Sequence, residues 1–192
     1  YHTDHCADLA ALLFALRSPT FAGRPPLTLH GAPGLQRLLD RLTEAWPWLA
    51  PRGYELRVHE LAPGTFAVGT LHAQAVPIRH TAQSLGYRFT DQGGASIAFA
   101  GDADECDELV ELAHDVDLFV CEAATPDGQK LDGHLTPRLT AGYARRARAR
   151  RLLLTHFYPE CDGHDLRRAA AEVFAGPVEL AQDLATHTIA KT

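Results

Sequence analysis

A chain of 192 residues with 46% apolar residues is long enough to bury the core of one domain. Its net charge of −6 argues against a broad basic surface for polymeric nucleic acid, and it contains no apolar run of the length, about 18 residues, that predicts a membrane span. Its four cysteines form no CxxC pair, which indicates a reducing, cytoplasmic compartment.

Hydrophobic periodicity predicts helices and strands that alternate along the chain. Apolar residues recur at helical spacing in five segments, at residues 8–17, 35–46, 106–113, 136–149 and 164–175. Strand patterns cover residues 25–34 (with a turn), 54–61, 65–78, 84–89, 96–101, 117–123, 151–156, 178–183 and 187–191. Helix-flanked strands predict a single α/β domain over residues 1–192, and tight turns between the central strands favour a mixed sheet.

Polar side chains follow three apolar strands at the point where each strand ends. These side chains are Asp102, Glu122 and His156. In layered α/β folds, ligands and catalytic groups gather beyond the carboxyl ends of strands. A half-desolvated carboxylate or imidazole needs a partner there, and a metal ion is one such partner. His80 ends a further strand-like run, and His134 lies in a glycine-containing loop before a predicted helix.

A second polar cluster stands at the amino end of the chain. This cluster consists of His2, Asp4 and His5. Together with His80, Asp102 and His156 it forms one set of six candidate metal ligands. Taken singly, each residue is also compatible with a polar loop or a satisfied core position. Imidazole and carboxylate ligands without cysteine suit Zn²⁺, with manganese or iron as alternatives. Six ligands exceed one tetrahedral site, so the set predicts two divalent ions that share Asp102.

Five motifs, HTDH, RHTAQSLGYRF, FAGDAD, GHLTP and LLLTHFYP, follow one another along the chain. In this order they resemble the motifs of the metallo-β-lactamase fold, and the RNase Z-like phosphodiesterases are the most similar branch. The resemblance runs from residue 1 to about residue 162. It implies a four-layer αββα sandwich with mixed sheets and a site at one sheet edge.

The resemblance distributes the six candidate ligands over two metal positions. His2 and His80 match the first position, Asp4, His5 and His156 match the second, and Asp102 matches both. The first histidine of the amino-terminal motif would stand immediately before Tyr1, and the first strands of the fold would precede it. We therefore expect an N-terminally incomplete domain, in which the first metal position lacks one ligand and is poorly occupied or empty.

The same resemblance implies hydrolytic chemistry. Two metal ions about 3.5–4 Å apart hold a bridging hydroxide at neutral pH, which would attack a phosphorus or an acyl carbon. Asp4 is a candidate to orient this nucleophile and accept its proton. His134 is a candidate to stabilise the transition state or to protonate the leaving oxygen. Glu122 is a candidate to fix the tautomer of His134.

The spacing between two of the motifs bears on the substrate. Only 21 residues separate His80 from Asp102, and they predict two strands and a turn. RNase Z enzymes carry a long tRNA-binding arm in this segment, so we expect a small or cyclic phosphodiester as substrate and no polymeric nucleic acid as partner. The lack of a long apolar run likewise gives no expectation of a membrane as partner. Because enzymes of that branch are commonly dimers, the resemblance also implies a homodimer.

Other functions remain open from the sequence alone. A hydrolase of carboxylic esters, lactones or thioesters would use the same ligands, because one fold hosts both chemistries. A metal-binding domain without turnover is a further alternative. The redox branch of the same fold is disfavoured, because it typically carries a glutamate ligand where this chain has Thr3.

Overall fold

A computed structural model describes residues 1–191 of the chain. Its internal contacts define an N-terminal unit, Tyr1–Ala62, and a C-terminal unit that begins at Pro63. None of the helices among the described residues is long and apolar enough to span a lipid bilayer.

The N-terminal unit packs three helices with a two-stranded parallel sheet. Its helices are α1 (Thr3–Cys6), α2 (Asp8–Ala15) and α3 (Leu35–Ala45), and its strands are β1 (Leu27–Gly31) and β2 (Leu56–Glu60). Short 3-10 turns cover Pro19–Phe21 and Pro47–Leu49. The buried centre is formed by Leu13, Leu35 and Leu39, against which leucines of both strands pack. The spacing of apolar residues in α3 turns one face of that helix to this centre.

The C-terminal unit is built on a seven-stranded sheet in which neighbouring strands follow one another along the chain. The strands are β3 (Gly64–Val68), β4 (Leu71–Pro77), β5 (Leu85–Thr90), β6 (Ser96–Phe99), β7 (Leu118–Glu122), β8 (Leu152–Thr155) and β9 (Val178–Leu180). Strands β3 to β6 pair antiparallel, and β6 to β9 pair parallel. This confirms the prediction of a mixed sheet.

Helices connect the parallel strands of this sheet. They are α4 (Glu108–Leu112), α5 (Pro137–Arg146) and α6 (Leu166–Ala171), with a 3-10 turn at Pro159–Cys161. Consecutive residues of β7 and β8 are buried, which is the pattern of strands covered on both faces. Because β6, β7 and β8 are parallel neighbours, their carboxyl ends lie at the same edge of the sheet. The three polar strand ends expected from the sequence therefore meet.

One predicted strand is wrong. Residues 187–191 form no strand in the described chain. They are held by side-chain contacts instead: Arg151 donates a hydrogen bond to the Thr188 carbonyl, and His187 lies 3.4 Å from Glu179. These contacts hold the segment against the chain without a strand ladder.

We predict that Leu154→Ala lowers the free energy of unfolding by about 2–5 kcal/mol, because it leaves a cavity in the centre of β8. Leu154 is 0% exposed, whereas its pairing partner on β9, Leu180, is 37% exposed. Leu180→Ala is the matched control and should cost about 1 kcal/mol or less. Urea unfolding of both variants checks this, and equal losses would contradict the placement of the core.

Candidate functional site

Asp102 lies between two histidines at the carboxyl edge of the sheet. Its Oδ2 is 3.8 Å from His80 Nε2, and its Oδ1 is 3.5 Å from His156 Nδ1. The Asp102 carboxylate is buried, so water does not fully solvate its charge. Each oxygen thus faces a different imidazole, an arrangement that is compatible with a carboxylate shared by two cations.

The orientation of His80 follows from one hydrogen bond. His80 Nδ1 lies 2.8 Å from the Gly133 carbonyl oxygen. A carbonyl only accepts, so Nδ1 carries the proton and, in the neutral ring, Nε2 presents a lone pair to Asp102. Two acceptor groups then face each other across 3.8 Å. A divalent cation could be bound by both, and a set of nitrogen and oxygen donors suits Zn²⁺. The residues of the C-terminal unit therefore fit a metal ion.

His156 is brought to the site by an unusual backbone conformation. The residue follows β8 directly and has a φ of 58°, in the left-handed region that residues other than glycine rarely adopt. Its ring stacks on that of His134, with centroids 5.5 Å apart and planes 18° from parallel. Backbone strain of this kind is found at functional sites, where the surrounding structure enforces it.

His134 is held from both of its ring nitrogens. Nδ1 lies 3.1 Å from Glu122 Oε2 and 3.2 Å from Oε1, and Nε2 lies 3.2 Å from the Tyr158 hydroxyl. With the carboxylate ionised, Nδ1–H donates to Glu122 and Nε2 accepts from Tyr158. Glu122 and His134 are thus in contact, and their catalytic roles stay predictions.

Tyr158 was not identified from the sequence. Its ring centroid lies 5.3 Å from those of both His134 and His156. The signal for it in the sequence is its place two residues beyond His156, the candidate ligand that follows β8.

Glu122 is a fully buried carboxyl group at the end of β7. Burial raises its pKa to about 7, although hydrogen bonds donated by the Ala103 and Leu135 backbone amides act in the opposite direction. The charge of Asp102 raises the pKa further. The Thr140 hydroxyl of α5 donates to the Glu122 carbonyl at 2.6 Å and so fixes the strand end.

Asp104 is a second buried carboxyl group at this edge, and its pKa moves the other way. Burial by itself would raise the pKa of Asp104. Hydrogen bonds from Lys130 and from the Glu105 and Gly133 amides outweigh burial and lower the pKa to about 2. Asp104 therefore stays charged at neutral pH, and neither motif reasoning nor strand-end placement singled it out.

The remaining predicted ligands belong to the N-terminal unit. Asp4 and His5 lie on the single turn of α1, and His2 precedes it in extended backbone. All three are exposed, and His5 Nε2 lies 3.5 Å from Asp4 Oδ2. Their assignment as ligands, and the catalytic role of Asp4, stay predictions.

Comparison with known proteins identifies the family of the chain. The Beta-lactamase superfamily domain matches residues 1–157. The uncharacterized protein Rv1339 of Mycobacterium tuberculosis is 34% identical across 92% of this chain, which spans 66% of that protein, just under two thirds. Ribonuclease BN of Cronobacter sakazakii is 28% identical across 98% of this chain and 79% of its own length. The human tRNase Z structure, short form, matches with a TM-score of 0.76 and 25% identity over 99% of this chain and 76% of that one.

We predict that Glu122 makes the metal-free protein less stable as the pH rises from about 4.5 to about 7. Its pKa rises from an ordinary 4.5 to about 7 on folding, so the folded chain holds this proton more tightly than the unfolded chain. The Glu122 contribution is thus most favourable below the unfolded pKa and declines until the pH passes the folded one.

Urea unfolding over this pH range, with Glu122→Gln for comparison, measures the effect. The wild type should lose stability relative to the variant as the pH rises. Glu179→Gln serves as the control, because the pKa of Glu179 is lowered by its bond to Arg151. Parallel curves for the wild type and Glu122→Gln would contradict the prediction.

Proposed function

The chain belongs to the beta-lactamase superfamily, and on that premise we propose that it is a metal-dependent hydrolase of phosphodiesters. Its α/β metallo-β-lactamase fold with a mixed sheet is the one expected from the sequence, and proteins named as RNase Z-like nucleases are similar to it. The observation that carries the proposal is the Asp102 carboxylate with one histidine at each oxygen.

We propose the six ligands in two groups that share Asp102. His2 and His80 would hold one ion, and Asp4, His5 and His156 would hold the other. The order of the motifs supports this, as does the family match, whose range of residues 1–157 contains all six. Zinc suits the donor set best, and manganese or iron would take the same ligands. Bound there, divalent ions would supply Lewis acidity and lower the pKa of water toward neutrality.

We propose that two side chains take part in the reaction, one at the substrate and one at the attacking water. In its doubly protonated form, His134 would keep Nδ1–H on Glu122 and donate a hydrogen bond from Nε2 to the phosphoryl or leaving oxygen as negative charge develops there. The Tyr158 hydroxyl now bonded to His134 Nε2 marks the position that such a substrate oxygen would take. Asp4 would orient the attacking water and accept its proton.

The segment between His80 and Asp102 supports a small substrate. It is described completely, and it contains β5, a turn and β6 with no inserted arm. An extended tRNA surface therefore finds no support in this segment, and a small or cyclic phosphodiester is the substrate class we propose.

All four cysteines are free, which agrees with the proposal of a cytoplasmic protein.

Bis-p-nitrophenyl phosphate, assayed beside a panel of p-nitrophenyl carboxylic esters, lactones and thioesters, tests the proposed activity. The full-length protein loaded with Zn²⁺ should hydrolyse the phosphodiester with the higher kcat/KM. A chelator should abolish turnover, and added Zn²⁺ should restore it. Faster turnover of esters would favour the alternative hydrolase, and absence of all turnover in metal-loaded protein would favour a binding domain.

The variant His134→Ala distinguishes hydrolysis that depends on the His134 side chain from hydrolysis by adventitiously bound metal alone. Loss of a positioned acid–base group should lower kcat by about 10²–10⁴-fold while the metal content stays normal. His114→Ala is the matched control, because His114 is an exposed histidine paired with Asp115. Equal rates for the two variants would contradict the role of His134.

A further inference from the structure

Asp104 is a buried carboxylate that the proposed chemistry does not use. The residue is 3% exposed, and its two oxygens accept from different parts of the chain. Oδ1 accepts from the Glu105 amide at 2.8 Å and from Lys130 Nζ at 2.7 Å. Oδ2 accepts from the Gly133 amide at 2.9 Å and lies 3.8 Å from the Arg79 guanidinium. One side chain thus gathers four donors next to the metal-ligand candidate Asp102.

Two of these donors come from the same loop. Lys130 and Gly133 both lie between β7 and α5, and His134 follows Gly133 directly. Lys130 also donates to the Leu131 carbonyl at 3.2 Å, so its ammonium group ties Asp104 to the loop backbone. The Asp104 carboxylate is therefore bonded to the loop immediately ahead of the candidate acid–base histidine.

Gly133 transmits this contact to His80. Its carbonyl accepts from His80 Nδ1 at 2.8 Å, while its amide donates to Asp104. Gly133 has a φ of +83°, and a Cβ added there would lie 3.3 Å from His80 Nδ1. A side chain is therefore disfavoured by both the backbone conformation and the closeness of the imidazole. Gly133 is thus bonded to Asp104 through its amide and to His80 through its carbonyl, which lies in the next peptide group.

We propose that Asp104 is a positioning residue for the site. Through Lys130 and Gly133 it holds the loop so that the Gly133 carbonyl fixes His80 as the Nδ1–H tautomer. The same loop position keeps His134 against Glu122. The proposal rests on the proposed function in taking His80 as a metal ligand. A hydrogen bond to the distal nitrogen fixes ring orientation and raises the basicity of the ligating nitrogen. Asp104 would thereby act on metal affinity without touching the metal.

Asp117 provides a matched control for the loss of a buried ion pair. It is 6% exposed, accepts from the Ser96 amide at 2.9 Å and lies 3.2 Å from Arg150. It stands directly before β7, at the opposite end of that strand from Glu122. Asp117→Asn and Asp104→Asn each place an amide NH₂ among hydrogen-bond donors. Both variants should lose stability, and only Asp104→Asn should change the site.

The first readout is the tautomer of His80 in metal-free protein, from long-range ¹H–¹⁵N NMR at about pH 8, where imidazoles are neutral. The wild type and Asp117→Asn should show the Nδ1–H form, and Asp104→Asn should show a mixture of tautomers. The second readout is Zn²⁺ affinity by chelator competition. Loss of such a supporting partner costs about 10–100-fold, so Asp104→Asn should weaken binding by that factor and Asp117→Asn should not.

Lys130→Met tests the same link if Asp104→Asn does not fold, because Lys130 is partly exposed and its loss leaves the Gly133 bond to Asp104 in place. It should shift the tautomer and the affinity in the same direction by a smaller factor. Variants that unfold more easily yet keep the His80 tautomer and Zn²⁺ affinity of the wild type would overturn the proposal. Because the tautomer is measured without metal or substrate, a failure to find phosphodiesterase activity would not obscure this result.

Discussion

The candidate site depends on one buried carboxylate held against two imidazoles. Asp102 follows β6, and His156 follows β8, which lies two strands away in the same parallel array. Because parallel strands end at a common edge, the sheet itself brings the two residues within 3.5 Å of each other. Carboxylate oxygen and imidazole nitrogen are ligands that divalent first-row metals prefer in proteins. The donor set at this edge therefore suits a divalent cation.

Two buried carboxylates near Asp102, those of Glu122 and Asp104, form hydrogen bonds that link the same two segments of the chain. Glu122 accepts from the Ala103 and Leu135 amides and contacts His134, so it links the segment after β6 to the loop before α5. Asp104 links the same two segments through Gly133. Two buried carboxylates with pKa values moved in opposite directions, to about 7 and to about 2, thus hold one loop. The loop carries His134, and its carbonyl at Gly133 orients His80.

The site residues that stand at the ends of strands could be predicted from the sequence. Asp102, Glu122 and His156 were predictable because an apolar strand that ends in a polar residue marks a sheet edge, and turns between the middle strands indicated the mixed sheet. Tyr158 and Asp104 were not predictable, because their contacts are made across loops whose conformation no local period encodes. The strand predicted at residues 187–191 failed because contacts with the Arg151 and Glu179 side chains, and no strand ladder, hold this segment.

Elemental analysis of the purified full-length protein, wild type beside Asp102→Ala, tests the central claim most directly. If Asp102 is shared by both positions, the wild type should contain divalent metal and the variant should lose all of it. Circular dichroism would establish that the variant is folded. Retention of one or both ions by folded Asp102→Ala, or a wild type that binds no metal, would contradict the account.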